Sequence, residues 1–157
     1  MQGEGAADVE LIDATNASEG KGYAALRFAN AAGPGIVVKK VIARRGGRGI
    51  FCVSQSRGIT IEEIDITDTG GEAILIENCY DVNIASVKGT VTGKEVRIAA
   101  RAEFPPSTGV TLQNLTLRGA RIRDTSCDGD NVVKNNLLID SSLALCPGGD
   151  GGGNIVQ

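Results

Sequence analysis

One eight-residue pattern recurs along the whole chain. It reads apolar, any residue, apolar, two polar or small residues, apolar, any residue, apolar, and its clearest copies are 59–66 and 110–117. Further copies are carried by Val9, Leu11 and Ala14, by Ile36, Val38, Val41 and Ala43, by Val82, Ile84 and Val87, and by Leu137, Ile139, Leu143 and Leu145. An internal repeat of about 20–50 residues predicts a solenoid, in which each repeat buries its apolar face against its neighbours.

A residue type that tolerates a positive φ angle immediately precedes every copy. These residues are Asp8, Gly35, Gly58, Asp81, Gly109 and Asn136. Gly, Asn and Asp enter the left-handed backbone region at low cost. The column therefore predicts the same turn at the same place in every coil.

The alternation of apolar residues predicts short strands, because side chains two residues apart point to the same face of a strand. Each copy supplies two strands, and a third apolar stretch lies between copies. This stretch comprises Leu26 and Phe28, Phe51 and Val53, Ile74 and Ile76, and Val96 and Ile98, continued by Val132 and Val133 and by Ile155 and Val156. We expect one shared core that contains Ile61, Ile64, Ile84, Val87, Leu112 and Leu115.

The sequence thus predicts an all-β, right-handed parallel β-helix of about six coils, with three short strands per coil and a single domain over 1–157. Hydrophobic residues make up 41% of the chain but aromatic residues only 3%, which suits a thin core of Ile, Val, Leu and Ala. A leucine-rich repeat would need a Leu and Asn consensus that is missing. A hexapeptide left-handed helix would have less variable loops, and an antiparallel sandwich would not repeat its turn residue in register.

Charge and composition exclude several classes of function. The net charge of −3 and the pI near 5.0 do not favour a nucleic acid or an anionic membrane as a partner. The sequence contains no run of about 18 apolar residues, so no membrane span is predicted. No signal-peptide pattern is visible at the amino terminus. Because the chain has no histidine and no Cys-x-x-Cys pair, a structural zinc site is not expected.

The coil pattern resembles that of the pectate-lyase-like superfamily of right-handed parallel β-helices, which includes polysaccharide lyases, polygalacturonases, epimerases, phage tailspikes and adhesins. The resemblance covers most of the chain and implies the fold. In that superfamily the two-residue step inside the repeat often carries a stacked asparagine, and Asn114 lies at such a step. The equivalent residues Lys40, Glu63, Ser86 and Ser141 depart from a full asparagine ladder.

The resemblance also implies where a site would lie. The Gly-rich loops after the third strand of the superfamily border a substrate groove, and Arg27, Cys52, Leu75 and Arg97 are the predicted outward positions beside it. In polysaccharide lyases of this superfamily an arginine acts as the base, while calcium acidifies the proton of a uronate sugar. The resemblance therefore makes Arg97 the catalytic candidate. The candidate calcium ligands are Asp68, Glu72, Asp128 and Asp130.

Several signatures of the superfamily's enzymes are missing. The polygalacturonase motifs are absent, and no histidine exists to complete them. The Arg-x-Pro-x-x-Arg signature of pectate lyases is absent too, and Tyr23, Tyr80 and Phe104 are the few aromatic residues left to stack on sugars. We therefore expect a non-catalytic structural or carbohydrate-binding module of a secreted, periplasmic or cell-surface protein. The alternative is a calcium-assisted polysaccharide lyase acting on an acidic glycan.

The cysteines and the chain ends give further expectations. Cys127 and Cys146 are placed to join two loops, whereas Cys52 and Cys79 fall at different points of their coils and are expected to be buried free thiols. Stacking of the copies pairs Lys39 with Glu62 and Lys40 with Glu63 on the outer face. The last residues, 154–157, look like the first strand of an unfinished coil, which predicts a module of a longer chain or self-association, end to end or side by side.

Overall fold

The computed structural model describes residues 14–15 and 23–157, which form two parallel sheets stacked into a β-solenoid of about five turns. The nine-stranded sheet contains β1 (Ala14–Thr15), β3 (Ile36–Arg44), β5 (Arg57–Thr67), β7 (Tyr80–Thr92), β9 (Thr111–Gln113), β10 (Leu115–Arg118), β12 (Val132–Lys134), β13 (Leu137–Ile139) and β15 (Ile155–Val156). The six-stranded sheet contains β2 (Ala24–Phe28), β4 (Arg48–Val53), β6 (Ile74–Glu77), β8 (Glu95–Ala99), β11 (Arg121–Asp124) and β14 (Ser142–Ala144). The predicted all-β parallel β-helix is confirmed, with about five turns against the predicted six. Asp8, Val9 and Leu11 lie outside the described residues.

Equivalent residues of successive coils pair in the predicted register through most of the nine-stranded sheet. Ile61 of β5 pairs with Val38 of β3 and with Ile84 of β7, and Ile84 pairs in turn with Leu112 of β9. These four side chains are fully buried in one apolar core. Burial of branched aliphatic side chains in every coil is the main force that stacks one coil on the next.

Two of the three predicted strands run together as one long strand in β3, β5 and β7. They are separate further along the chain, where Asn114 lies between β9 and β10 and Asn135 lies between β12 and β13. Both asparagines have a φ of 55°, which interrupts a strand. Pairing of β10 with β13 puts Asn135, and not Ser141, opposite Asn114.

Strand β7 contains a bulge, and Val87 lies on it rather than in the core. The pairing of β7 with β5 shifts just after Ile84, and the Val87 side chain is 56% exposed. The predicted core position of Val87 is therefore wrong, whereas the other five predicted core residues are buried together. Gly89 occupies the core position predicted for Val87. A side chain would not fit there, because a Cβ on Gly89 would lie 2.5 Å from Ile64 and 2.7 Å from Leu115.

The alternation along β4 is the reverse of the predicted one. Cys52 is buried in the core in register with Phe28, whereas Phe51 pairs with Leu75 in a second apolar cluster that also contains Val53. The predictions that Phe51 and Val53 fill the core and that Cys52 faces outward are wrong. A slip of one residue moves every side chain of a strand to the other face, and apolar residues on both faces of β4 conceal that slip in the sequence.

The register of the last predicted copy is also wrong. Val133 pairs with Leu112, so β12 and likewise β15 belong to the nine-stranded sheet and do not continue the third strand. The six-stranded sheet is continued by β11 and β14, to which Leu143 belongs. Asn136 fills an inward position, where it is 1% exposed and donates a hydrogen bond to the Leu112 carbonyl oxygen at 3.3 Å. A polar residue in an apolar column hides the true register.

The predicted turn column is confirmed in four consecutive coils. The φ angle is 84° at Gly35, 61° at Gly58, 54° at Asp81 and 68° at Gly109. Asn136 is not among the residues with a positive φ, because its copy has a different register from the predicted one.

Two disulfide bonds join neighbouring coils. Cys127 and Cys146 are bonded, as their position in the sequence suggests. Cys52 and Cys79 are also bonded, so the expectation of free thiols is wrong. That expectation depended on their different positions within their coils, but both side chains lie inside the solenoid, where both are 0% exposed.

The two predicted ion pairs on the nine-stranded sheet are confirmed. The distance from Nζ to the carboxylate oxygen is 3.1 Å for Lys39 and Glu62 and 3.9 Å for Lys40 and Glu63. Their side chains are partly exposed, so each pair contributes only about 0–1 kcal/mol. In the part of the chain that the structure describes, no helix is long and apolar enough to cross a membrane.

Candidate functional site

An open cleft of about 630 Å³ lies on the outer face of the six-stranded sheet. Seven of its lining residues are charged, four of them cationic and three acidic. They are Arg48, Lys94, Arg97 and Arg123, and Glu72, Glu77 and Glu95. We call this cavity the arginine cleft.

The solenoid repeat itself places these side chains together. Leu75, Arg97 and Arg123 pair in register on β6, β8 and β11 and form one outward column. Arg48 and Glu72 each lie two residues before an in-register isoleucine of β4 or β6, and are therefore stacked on adjacent coils. The cleft follows from the stacking of several coils and is not the product of a single loop.

Arg48 is the most buried charged residue of the cleft, with 6% of its surface exposed. Its Nε donates a hydrogen bond of 2.7 Å to Glu72 Oε2. Its guanidinium carbon lies 4.5 Å from the centre of the Phe51 ring, within the range of a cation–π contact. These two contacts fix the guanidinium group, yet its Nη1 is buried without a hydrogen-bond partner among the described residues.

Arg97 also has one buried guanidinium nitrogen that is left without a partner. Its Nε is buried and finds no hydrogen-bond partner in the described part of the chain. The neighbouring cation Arg123, by contrast, donates from Nε and Nη2 to Glu95 Oε1 at 3.1 and 2.8 Å. Glu77 is engaged by Arg101, whose Nε lies 3.1 Å from Glu77 Oε1. Arg48 and Arg97 thus keep donors that no other described residue uses.

Glu72 remains ionised within the cleft. Its burial alone would raise the pKa of the carboxyl, but a backbone hydrogen bond, the hydrogen bond from Arg48 and the charges of Arg48 and Arg97 together hold the pKa below its usual value. A glutamate with a lowered pKa is a poor proton donor near neutral pH. Its chemical role in the cleft is to hold Arg48 and to accept hydrogen bonds.

The structure brings two of the five sequence-predicted site residues together, Arg97 and Glu72. Asp68 is an exposed turn residue with a φ of 55°. Asp128 lines a separate cavity of about 400 Å³, and Asp130 is an exposed residue whose backbone N–H donates to Thr108 Oγ1 at 3.0 Å. Over residues 14–15 and 23–157, no three His, Cys, Asp or Glu side chains form a group that could hold a metal ion.

Arg48, Lys94 and Arg123 were not predicted as site residues from the sequence. Arg48 is the first residue of β4, Lys94 immediately precedes β8, and Arg123 continues the Arg97 column. The coil spacing is the signal that could have revealed Arg48 and Lys94, since Arg48, Glu72 and Lys94 each lie two residues before the in-register residues Ile50, Ile74 and Val96. The reversed alternation in β4 and the wrong register of the last coils obscured it.

A third cavity, of about 400 Å³, lies on the nine-stranded sheet. Its charges are largely satisfied within the protein. Glu63 Oε2 lies 3.9 Å from the Nζ atoms of both Lys40 and Lys88, and Asp65 binds Arg44 at 3.0 Å. The arginine cleft is therefore the stronger candidate for a binding site.

No protein-family model, curated protein or solved structure matches this chain. The chemistry of the arginine cleft is therefore the guide to function. Its guanidinium and ammonium groups can bind carboxylates or sulfates, and its glutamates can accept hydrogen bonds from hydroxyl groups.

Proposed function

We propose that this chain is a non-catalytic, carbohydrate-binding β-helix of the pectate-lyase-like superfamily, and that the arginine cleft binds an acidic polysaccharide. The observation that carries the proposal is the concentration of four cationic side chains in one open cleft of a chain whose net charge is −3. A local excess of positive charge on an acidic protein favours a specific anionic ligand over general attraction to polyanions.

The mixed lining of the cleft supports a sugar as that ligand. An acidic sugar carries an anionic group beside several hydroxyl groups. Arg97 and Lys94 can meet the anion, while Glu77 and Glu95 can accept hydrogen bonds from the hydroxyls. A lining made only of cations would instead suit a compact, highly charged anion.

Further observations support the superfamily and the location. The Asn114 side chain donates to the carbonyl oxygens of Ala85 and Ser86, at 3.0 and 3.1 Å, which is the bonding expected of an asparagine stacked at the step. Two disulfide bonds support a secreted, periplasmic or cell-surface protein, because disulfides persist in oxidising compartments.

Arg97 favours a second candidate function, a calcium-assisted polysaccharide lyase. In the lyases that the coil pattern resembles, an arginine takes the proton from a bound uronate, but the ionised Glu72 in this cleft stabilises the protonated form of Arg97. Of the four predicted calcium ligands, however, Glu72 alone lines that cleft. Binding without catalysis therefore ranks first.

A glycan microarray of uronate, sulfated and neutral polysaccharides tests the proposal. We expect the protein to bind acidic glycans and not neutral ones. Incubation with polygalacturonate or alginate, with and without calcium, should give no unsaturated product by ultraviolet absorbance. Formation of that product by the wild type and not by Arg97→Ala would replace the proposal with the lyase, and absence of all glycan binding would refute both.

A further inference from the structure

Unpartnered buried donors are rare in proteins, because each leaves the desolvation cost of a polar group uncompensated. Among the described residues, two buried side-chain nitrogen or oxygen atoms have no hydrogen-bond partner, Arg48 Nη1 and Arg97 Nε. Both are guanidinium nitrogens, and both belong to residues of the arginine cleft. Because the two residues line one cavity, a ligand bound there is the acceptor that both could share.

Arg48 cannot easily find another partner for its free donor. More than nine-tenths of its surface is buried, and the 2.7 Å hydrogen bond to Glu72 and the stacking on Phe51 fix its plane. The guanidinium fork is rigid, so fixing Nε also fixes the direction of Nη1.

Arg97 is positioned by the solenoid. It pairs in register with Leu75 on one side and with Arg123 on the other, and Arg123 is already bound to Glu95. Arg97 and Arg48 line the same cleft, and Glu72, which binds Arg48 at 2.7 Å, lines it as well.

We propose that Arg48 and Arg97 form an oxyanion subsite, in which one oxygen of a carboxylate or sulfate accepts from Arg48 Nη1 and another accepts from Arg97 Nε. This inference deepens the proposed function and rests on it for the polysaccharide to which the oxyanion belongs. The subsite binds the acidic group of the sugar, and Glu72 holds the Arg48 guanidinium in the orientation that this binding needs. A uronate carboxylate and a sulfate ester share this chemistry.

The test observes the Arg97 donor directly. Arginine Nε–Hε signals of the full chain are recorded by ¹H–¹⁵N NMR while sodium sulfate or sodium acetate is added, with sodium chloride at equal ionic strength as the reference. We expect saturable shifts of the Arg97 signal with sulfate and with acetate, and no such shift with chloride. The signal of Arg118, an exposed arginine of β10 on the other sheet, should not respond.

A conservative variant separates hydrogen bonding from charge. Arg97→Lys keeps the positive charge but loses the planar Nε–H donor, and should weaken binding of an oligouronate about 10- to 100-fold, the range expected when a hydrogen bond to a charged group is lost. Affinity of Arg97→Lys within about twofold of the wild type, with an unchanged circular dichroism spectrum, would overturn the subsite.

The failures of the two proposals are distinguishable. Saturable sulfate shifts without any glycan binding would keep the subsite and refute the polysaccharide. Glycan binding that leaves the Arg97 signal unmoved would refute the subsite and keep the polysaccharide. Equal affinity for an oligouronate and for its carboxyl-reduced form would also refute the subsite.

Discussion

Replacement of Ile84 by alanine tests the register of the solenoid core. Ile84 is on β7, in the middle of the nine-stranded sheet, and is 0% exposed. It pairs with Ile61 on one side and Leu112 on the other. Three carbon atoms would be removed from between two buried coils, and neither neighbour can move into the space without breaking its own strand pairing.

The expected cost follows from the burial. At about 0.8 kcal/mol for each buried methylene, the lost transfer free energy is roughly 2.4 kcal/mol. The cavity that remains adds to this, and buried isoleucine-to-alanine changes cost about 2–5 kcal/mol in total. The exposed Val87, only three residues away, provides a matched control, because truncation of a side chain that is 56% exposed should cost less than about 0.5 kcal/mol.

Urea unfolding under oxidising conditions, followed by far-ultraviolet circular dichroism, measures both variants. With an m-value of about 2 kcal/mol/M, the midpoint of Ile84→Ala should fall by about 1–2.5 M, and that of Val87→Ala should hardly change. A loss below about 0.5 kcal/mol for Ile84→Ala, or equal losses for the two variants, would refute the register and the bulge in β7.

Three further predictions concern the turns, a disulfide and pH. Gly35 has a φ of 84° and open space around its Cα, so Gly35→Asn should retain a higher melting temperature than Gly35→Val; equal values would contradict the turn geometry. Loss of the Cys127–Cys146 bond in the double serine variant should cost about 2–4 kcal/mol in urea unfolding, and no loss would contradict it. The Arg44 hydrogen bond lowers the pKa of Asp65, so its contribution is present above the unfolded pKa and lost as pH falls through the folded one. Asp65→Asn should therefore flatten the decline in stability below about pH 4, by less than about 1 kcal/mol because the pair is partly exposed; an unchanged acid decline would contradict this role.

Most of the fold could be predicted because each coil repeats the same apolar alternation and the same type of turn residue. Ile61 and Ile84 occupy equivalent positions in a strict alternation, and Gly58 repeats the turn residue of Gly35. The prediction failed where a coil departs from that alternation. The bulge at Val87 adds residues that no local propensity demands, and the buried Asn136 puts an amide where the pattern expects an apolar residue.

The candidate site could be predicted only in part. Arg97 and Glu72 were predicted because, in the superfamily that the chain resembles, the groove lies between outward strand positions, such as that of Arg97, and Gly-rich loops, such as that of Glu72. Arg48 was missed because its importance arises from burial and from its contact with Phe51, which depends on the face that β4 presents. Asp128 was grouped with Glu72 because both are acidic loop residues, and spacing alone does not reveal that they line different cavities.

Isothermal titration calorimetry of an acidic oligosaccharide against three proteins tests the central claim most directly. The wild type should bind at a single site. Arg97→Gln should bind about 10- to 100-fold more weakly, and Arg118→Gln, which removes the same charge from the other sheet, should bind as the wild type does. Absence of binding by the wild type, or an equal loss of affinity in the two variants, would contradict specific recognition of an acidic glycan in the arginine cleft.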